Sequence, residues 1–280
     1  MPCFRGNGGV YKSSEAKNAF TFDTLRSRKG ADIYYKAMGE FATKARGANP
    51  TPFHTMVATM AVLKKLRRCY TLNIDCLETR FDVLRTQTPL VFIPRDLPLT
   101  IQLHGSLEYA RCTACGRFKE LIPEFYTGLN WDKIACPSCC IRLGGSDIRE
   151  AKANTGGALR PNVILYDENP PVDDICAESR VKVLQKDIAA PVHTFVVAGT
   201  SATLISTQNV LKDLAGGKSY ASTPQRRVVW IGLSPPPQAL TPLFSHVLIE
   251  DCQLVAIAYF EAIGEARIDK MQWDLQGMAR

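Results

Sequence analysis

The feature that most constrains this chain is a pair of Cys-x-x-Cys motifs near its middle. Cys112 and Cys115 form the first pair, Cys136 and Cys139 form the second, and twenty residues separate Cys115 from Cys136. Four thiolates from two such knuckles match the tetrahedral preference of zinc, and no open ligand position remains, so the spacing predicts one structural Zn²⁺. The alternative is two disulfides or four unrelated thiols, although matched knuckles rarely arise by accident. Cys140 is a spare thiol beside the second knuckle.

The composition is that of a globular protein in a reducing compartment. The 280 residues are 46% hydrophobic and 22% charged, which allows one large domain or two smaller ones. Ten cysteines, four of them in metal-type knuckles, suit reduced thiols better than a disulfide framework. We find no run of eighteen apolar residues and no signal peptide, so we expect neither a membrane nor a secreted protein. The net charge of +7 is mild and does not by itself indicate nucleic-acid binding.

Short strands on the N-terminal side of the knuckles end in polar side chains. Residues 69–75 are predicted to form a strand that ends in Asn73 and Asp75, and residues 99–103 a strand that delivers His104. Ligands bind at the carboxyl ends of parallel strands, so these side chains are candidate site residues. For Asn73 and Asp75 the alternative is turn formation or helix capping. Any chemistry near the knuckles is expected to belong to His104, just upstream of the first one.

His54 is predicted to have a structural role. His54 lies near the start of a helix predicted over residues 53–66, for which Thr51 is a plausible N-cap. We therefore interpret His54 as a capping or core residue rather than as a catalytic group.

Strands and helices alternate again after the knuckles. This alternation predicts an α/β fold with a doubly wound parallel, Rossmann-like sheet and an inserted small zinc-ribbon lobe. The predicted elements are an extended run at 160–166, a helix at 173–188, a strand within 194–201 that leads into a Gly-Thr-Ser turn, a helix at 204–214, a strand and turn within 227–233, a strand at 243–249, and a helix to about residue 263. The predicted domains are residues 1–103 with 159–263 for nucleotide binding, with a truncated first strand, then 104–158 for the zinc lobe and 264–280 as a tail.

Together these segments resemble the sirtuins, the NAD-dependent protein deacylases, from Pro2 to about Ala256. The sequences of residues 68–71 and 159–163 most resemble those of the fungal nuclear branch that acts on histone H3. The matching motifs, in matching order, are Phe4-Arg5 with the following Gly-x-Gly-Gly-Val-Tyr, Thr71 to Glu78, Leu103-His104-Gly105, the four knuckle cysteines, Leu159-Arg160-Pro161 through Glu168, Gly199-Thr200-Ser201 and Asp251-Cys252.

The resemblance implies an NAD-dependent lysine deacetylase with His104 as the general base on the ribose hydroxyls. NAD would lie across the strand ends, and acetyl-lysine would enter between the zinc lobe and the nucleotide domain. The acetyl oxygen would attack the ribose carbon as nicotinamide leaves, while the zinc would remain structural. The implied cofactor contacts are Phe4 and Arg5 at the reacting ribose, Asn73 and Asp75 at the nicotinamide and its ribose, Gly199, Thr200 and Ser201 at the pyrophosphate, and Cys252 on the adenine side.

The resemblance also implies the partner and its location. An acetylated lysine peptide, such as a histone tail, would pair with a strand by β-augmentation. The location would be nuclear, with the cytoplasm as the alternative, and we expect neither a membrane partner nor direct nucleic-acid recognition. The implied substrate strand consists of Val163, Ile164, Leu165, Tyr166 and Asp167.

The sequence also departs from the family pattern. The family's Gly-Ala-Gly-Ile-Ser segment is absent because Met1 begins inside the next motif, so either the start is placed too late or the chain is a degenerate relative. The second account gives an alternative function, a zinc-containing module that binds peptide without turnover. A third candidate function, nucleic-acid binding through the zinc ribbon, is weaker because the basic residues are dispersed along the sequence. The other departures are Cys3 for Asp, Leu72 for Gln, Asp167 for Gly, Ala202 for a larger apolar residue and Gly232 for Asn.

Overall fold

The computed structural model describes residues 21–142, 157–166, 168, 175–216 and 227–264. Within these residues the strands are β1 Cys69–Thr71, β2 Thr100–Gln102, β3 Gly105–Cys112, β4 Phe118–Glu120, β5 Leu159–Val163, β6 Thr194–Ala198, β7 Arg227–Gly232 and β8 His246–Ile249. The helices are α1 Arg28–Gly47, α2 Pro52–Val62, α3 Pro123–Thr127, α4 Trp131–Ile134, α5 Pro137–Arg142, α6 Ile175–Ile188, α7 Ile205–Gly216 and α8 Cys252–Ile263. Short 3₁₀ segments lie at Phe22–Arg26, Glu78–Arg80, Asp82–Leu84 and Gln238–Leu243.

The chain divides into two compact units whose segments alternate along the sequence. The described residues of the first unit come from Met1–Asn49, Tyr70–Leu77 and Thr100–Asp174. Those of the second come from Pro50–Cys69, Glu78–Leu99 and Ile175–Arg280. The first unit thus contains α1 together with the knuckle cysteines. The domain limits drawn from the sequence stay a prediction.

The first unit is built on an antiparallel sheet in the order β4-β3-β5. The β3–β5 register pairs Cys112 with Leu159 and Gly105 with Val163, and shifts at an irregularity in between. Helix α1 covers this sheet because its apolar residues recur every three or four positions. Its buried face consists of Tyr34, Tyr35, Met38, Phe41, Ala42 and Ala45.

Strands β1 and β2 form a separate two-stranded sheet. The Cys69 N–H donates to the Leu99 carbonyl at 2.8 Å, and the Leu103 N–H donates to the Thr71 carbonyl at 2.9 Å. These bonds advance along both strands in the same direction, which is the pattern of a parallel pair. The two strands therefore end at the same edge.

The second unit contains a three-stranded parallel sheet in the order β6-β7-β8. Trp230 of β7 is 1% exposed and forms the centre of a core cluster with Val197, Leu211 and Leu240. Helices follow β6 and β8, as the alternation of the sequence predicts. Among the described residues, no helix is long and apolar enough to span a membrane.

Several predicted boundaries differ from the structure, and two of the differences have a local cause. Helix α2 ends at Val62 rather than at residue 66, because Lys64 adopts a left-handed φ of 55°. Strand β8 begins at His246 rather than at residue 243, because the preceding residues form a 3₁₀ segment that contains Pro242. A proline inside that segment has no N–H to give to a sheet.

The structural interpretation of His54 is confirmed. Thr51 is the N-cap residue of α2, and its main-chain N–H donates to His54 Nδ1 at 3.1 Å. The Thr51 hydroxyl lies 2.7 Å from the same nitrogen.

Candidate functional site

The four predicted zinc ligands lie together in the first unit. Their sulfur atoms all lie within 4.8 Å of one another. The Sγ–Sγ distance is 3.7 Å for Cys112 with Cys139, and also 3.7 Å for Cys115 with Cys136. A tetrahedral Zn²⁺ with four ligands at about 2.3 Å requires sulfur separations of about 3.8 Å. The residues therefore fit one zinc ion, and the alternative of four unrelated thiols is wrong.

Main-chain groups shape this metal site. The N–H groups of Ala114 and Cys115 both lie 3.4 Å from Cys112 Sγ and donate to it. Gly157 passes so close that an added Cβ would lie 2.3 Å from the same sulfur. Its carbonyl accepts from the Cys136 N–H at 2.9 Å. Gly157 was not among the predicted site residues, and its only signal in the sequence was a glycine shortly before a strand.

The thiols of the cluster differ in acidity. Burial raises the pKa of Cys112 to about 12. Burial acts in the same direction on Cys115, but hydrogen bonds from the Arg117 main chain and the neighbouring thiols outweigh it and lower that pKa to about 7. Because zinc binds thiolates, metal binding must displace protons from this cluster.

His104 lies between β2 and β3, at the carboxyl end of β2. The next residue, Gly105, has a φ of 80°, and a Cβ added to it would lie 1.9 Å from the Asn162 carbonyl oxygen. Only glycine combines this left-handed backbone with such a close approach. The Ile164 N–H then donates to the His104 carbonyl at 2.9 Å. The main chain of His104 is thus fixed against the segment that follows β5.

Asn73 and Asp75 follow β1, at the same edge as His104. The Asn73 N–H donates to the Thr71 hydroxyl at 3.1 Å, and Asp75 Oδ1 accepts from the Leu77 N–H at 3.2 Å. One carboxylate oxygen of Asp75 therefore forms a turn, as the alternative interpretation of this residue predicted. The side chain of Asn73 is exposed.

The loop that carries these residues is tied to neighbouring strands. The buried Cys76 has a left-handed φ of 61°, and its sulfur accepts from Gln102 Nε2 at 3.3 Å. Burial raises the pKa of Cys76 to about 12, so this thiol is protonated at neutral pH. The Ile74 carbonyl accepts from the Leu107 N–H of β3 at 2.9 Å.

The predicted substrate strand is partly described. Val163 ends β5, Ile164 is bonded to His104 as above, and the Leu165 N–H donates to Glu168 Oε2 at 3.0 Å. The Tyr166 carbonyl accepts from the Phe22 N–H at 3.0 Å. Predicted site residues Phe4, Arg5 and Asp167 lie outside the described residues.

The predicted nucleotide residues Gly199, Thr200, Ser201 and Cys252 belong to the second unit. Gly199 follows β6 with a φ of 66°, and the position of its Cβ would lie 3.9 Å from Cys252 Sγ. The Thr200 hydroxyl accepts from the Ala202 N–H at 3.1 Å, which turns the chain toward α7. This unit therefore brings the Gly-Thr-Ser turn close to the first residue of α8.

The turn continues into an unusual conformation at Ala202. This residue is buried with a left-handed φ of 46°, and its carbonyl accepts from Gln208 Nε2 at 3.0 Å. A bulkier side chain would be disfavoured in that conformation. Ala202, which stands where the family has a larger apolar residue, is therefore suited to the left-handed backbone of the turn.

The Sir2 family model matches residues 1–206. Since this match covers well over half of the chain, the protein belongs to the Sir2 family. Its relatives include the NAD-dependent protein deacetylase hst4 of Schizosaccharomyces pombe, which is 28% identical over 99% of this chain and 65% of the relative. The NAD-dependent histone deacetylase HST4 of Saccharomyces cerevisiae is 27% identical over 91% of this chain and 70% of the relative. These matches confirm the predicted likeness to a fungal branch of the family.

The chain is shorter than these relatives. It spans 65% of the S. pombe protein, and 43% of the hst4 protein of Emericella nidulans, to which it is 28% identical. The activity and substrates of the whole protein are therefore proposed rather than taken over from these relatives.

Solved structures confirm the fold. A mutant Sir2 homologue in complex with ADP-ribose is 20% identical, with a TM-score of 0.62, and the match covers 91% of this chain and 82% of that chain. Sir2Tm bound to a propionylated peptide is 17% identical, with a TM-score of 0.60, and the match covers 91% and 87% of the two chains. The predicted α/β class, with a parallel sheet and a four-cysteine lobe, is confirmed.

Proposed function

We propose that this protein is an NAD-dependent protein-lysine deacetylase of the sirtuin type that acts on histone tails in the nucleus. The observation that carries the proposal is the parallel pairing of β1 with β2, which brings Asn73, Asp75 and His104 to one edge. The fungal relatives include two NAD-dependent histone deacetylases of Saccharomyces cerevisiae, which supports the activity and the substrate class, and histones as substrates fit a nuclear location.

We assign His104 as the general base. Its imidazole is half-buried, and its main chain is fixed through Gly105 and Ile164. A ring nitrogen of His104 would take the proton of a ribose hydroxyl, because imidazole is the side chain best suited to this exchange near neutral pH. The rigid main chain on both sides would keep the ring oriented for that transfer.

NAD, when bound, supplies the ribose carbon that receives the acetyl group as nicotinamide leaves. We assign Asn73 and Asp75 to hold the nicotinamide and its ribose. We propose that the Asp75 carboxylate accepts a hydrogen bond from the carboxamide, because a carboxylate is an acceptor for an amide N–H.

Within the second unit, Gly199, Thr200 and Ser201 would donate to the pyrophosphate, and Cys252 would face the adenine side. The fit is supported by the left-handed Gly199, whose exposed main chain carries no side chain that obstructs a phosphate. We assign Phe4 and Arg5 to the reacting ribose from the sequence alone.

The zinc would have a structural role. Four cysteines fill its four positions, so no coordination site remains for a substrate. It would stabilise the small lobe, while an acetylated peptide pairs with residues 163–167 by β-augmentation.

Turnover of an acetylated histone H3 tail peptide, measured with and without NAD, tests this function. We expect deacetylation only with NAD and release of one nicotinamide per lysine deacetylated. If the zinc-loaded protein binds the peptide but does not turn it over, the assignment as an enzyme is wrong and a non-catalytic peptide-binding role replaces it.

A further inference from the structure

A buried ion pair lies directly beside the predicted peptide-binding strand. Arg160 of β5 and Glu168 are joined by an Nη2–Oε1 distance of 2.5 Å, and their side chains are only 18% and 10% exposed. Removing two charges from water carries a desolvation cost, so a buried ion pair is weak evidence for general stability. Its location indicates a more specific role.

Both members of the pair also bind the main chain between them. Glu168 Oε2 accepts from the Leu165 N–H at 3.0 Å, and the Glu168 N–H donates to the Leu165 carbonyl at 3.3 Å. Arg160 Nη2 reaches the Val163 carbonyl at 3.4 Å. The two side chains therefore form a clamp, the Arg160–Glu168 clamp, that fixes residues 163–165.

The same segment is held from another direction by His104. The Ile164 N–H donates to the His104 carbonyl, whereas the neighbouring Leu165 N–H donates to Glu168. Main-chain groups of successive residues in an extended chain point in opposite directions. The clamp thus binds the main-chain groups that point away from His104, whereas His104 binds the Ile164 N–H on the opposite side of the segment.

Tyr34 of helix α1 lies close to the clamp. Tyr34 is 0% exposed, and its hydroxyl has no hydrogen-bond partner among the described residues. Burial raises the pKa of Tyr34, with the charges of Arg160 and Glu168 close enough to modify it. Since both side chains of the pair are mostly buried, water has little access to replace either partner.

We propose that Arg160 and Glu168 are positioning residues that preorganise residues 163–165 for an acylated peptide. This inference rests on the proposed function, because it takes this segment as the peptide-binding strand. A strand already held in its binding conformation avoids the entropic cost of becoming ordered when the peptide binds. Loss of the clamp therefore weakens peptide binding more than nucleotide binding.

Three variants of this chain separate the contacts of the clamp. Glu168→Ala removes both the charge and the acceptor for Leu165. Glu168→Gln keeps an oxygen acceptor and removes the charge, and Arg160→Lys keeps the charge but has fewer donors than the guanidinium. If Glu168→Ala does not fold, Glu168→Gln and Arg160→Lys still test the proposal.

Binding of a fluorescent acetyl-lysine H3 peptide, measured by anisotropy without NAD, is the primary readout. We expect Glu168→Ala to raise the peptide Kd and KM about tenfold, while the KM for NAD stays within about twofold. The Gln and Lys variants should give intermediate values. Hydrogen exchange of the Leu165 amide should become faster in Glu168→Ala than in the wild-type chain.

The possible failures can be told apart. If the wild-type chain binds the peptide but does not deacetylate it, the proposed function is wrong while the binding series still tests the clamp. Unchanged peptide affinity in the folded variants overturns the inference, as does an equal loss of affinity for peptide and NAD. A wild-type chain that binds no acetyl-lysine peptide overturns it together with the proposed function.

Discussion

The main-chain N–H of Ile164 donates a 2.9 Å hydrogen bond to the carbonyl oxygen of His104. The adjacent residues Gly105 and Val163 are paired in the β3–β5 register. The proposed general base and the proposed peptide strand are thus held by one set of main-chain hydrogen bonds. We therefore expect a change in the geometry of either one to affect the other.

The first prediction concerns the close approach at Gly105. A Gly105→Ala substitution places a Cβ at 1.9 Å from the Asn162 carbonyl oxygen and strains a φ of 80°. We expect a loss of more than about 3 kcal/mol in the free energy of unfolding and loss of turnover. Chemical denaturation and a deacetylation assay measure the two effects.

Gly264→Ala is the matched control for this substitution. Gly264 has a φ of 82°, but an added Cβ would meet no atom within 4 Å. We expect a cost of about 1–3 kcal/mol, from backbone strain alone, because Gly264 combines a positive φ with a ψ of 143°. Equal costs at the two glycines would show that the contact with Asn162 contributes nothing.

The second prediction concerns the metal. The zinc-loaded chain should contain one zinc ion, and Cys112→Ser should remove it and destabilise the first unit, because a structural zinc contributes directly to folding. Cys252→Ser, which changes a thiol of the second unit, should retain full zinc content. Elemental analysis of the purified variants measures this, and equal zinc content in both variants would contradict the assignment.

Zinc retention should also depend on pH. The zinc-free pKa of Cys112 is raised to about 12, so its proton must leave before zinc binds. Lowering the pH therefore weakens binding through proton competition, and raising it strengthens binding. Zinc affinity measured by competition with a chelator at several pH values should rise with pH. A flat profile would rule out thiolate ligation.

The third prediction concerns a buried carboxylate in the second unit. Asp187 is 4% exposed and is paired with Arg68 at 2.7 Å and with Arg67 at 3.4 Å. Arg68→Ala would leave most of this charge uncompensated, at a cost of about 3–5 kcal/mol. The exposed Arg85 pairs with Asp82, and Arg85→Ala should cost less than about 1 kcal/mol. Similar unfolding midpoints for the two variants would contradict this view of Asp187.

The fourth prediction separates two roles of Asp75. Its Oδ1 atom accepts from the Leu77 N–H, and we propose that its charge serves NAD binding. Asp75→Asn keeps the turn acceptor, whereas Asp75→Ala removes both. If the charge matters, both variants weaken NAD binding about tenfold or more in calorimetry. Weakening in Asp75→Ala alone would leave Asp75 with only its turn role.

The local signals in the sequence predicted much of this fold. The knuckle spacing predicted a cluster that the sulfur positions confirm, because two Cys-x-x-Cys turns each aim two thiols at one point. The Thr51 cap of α2 and the alternation of β6, α7, β7 and β8 were predicted for similarly local reasons.

Long-range contacts could not be predicted in this way. Arg160 and Glu168 were part of a recognised motif, but their pairing depends on how the chain turns back after β5. Gly157 lies beside Cys112 only because a segment distant in sequence returns to the first knuckle. The limits of α2 and β8 were missed because one left-handed residue and one proline outweighed apolar periodicity.

The most direct test of the central claim compares the wild-type chain with His104→Ala in the same NAD-dependent deacetylation assay. The variant should fold, load zinc and bind the acetylated peptide as the wild-type chain does, because its main-chain bond to Ile164 is kept. We predict that kcat falls by about a hundredfold or more, the contribution expected of a general base. Unchanged turnover in a folded, zinc-loaded His104→Ala variant would contradict the account.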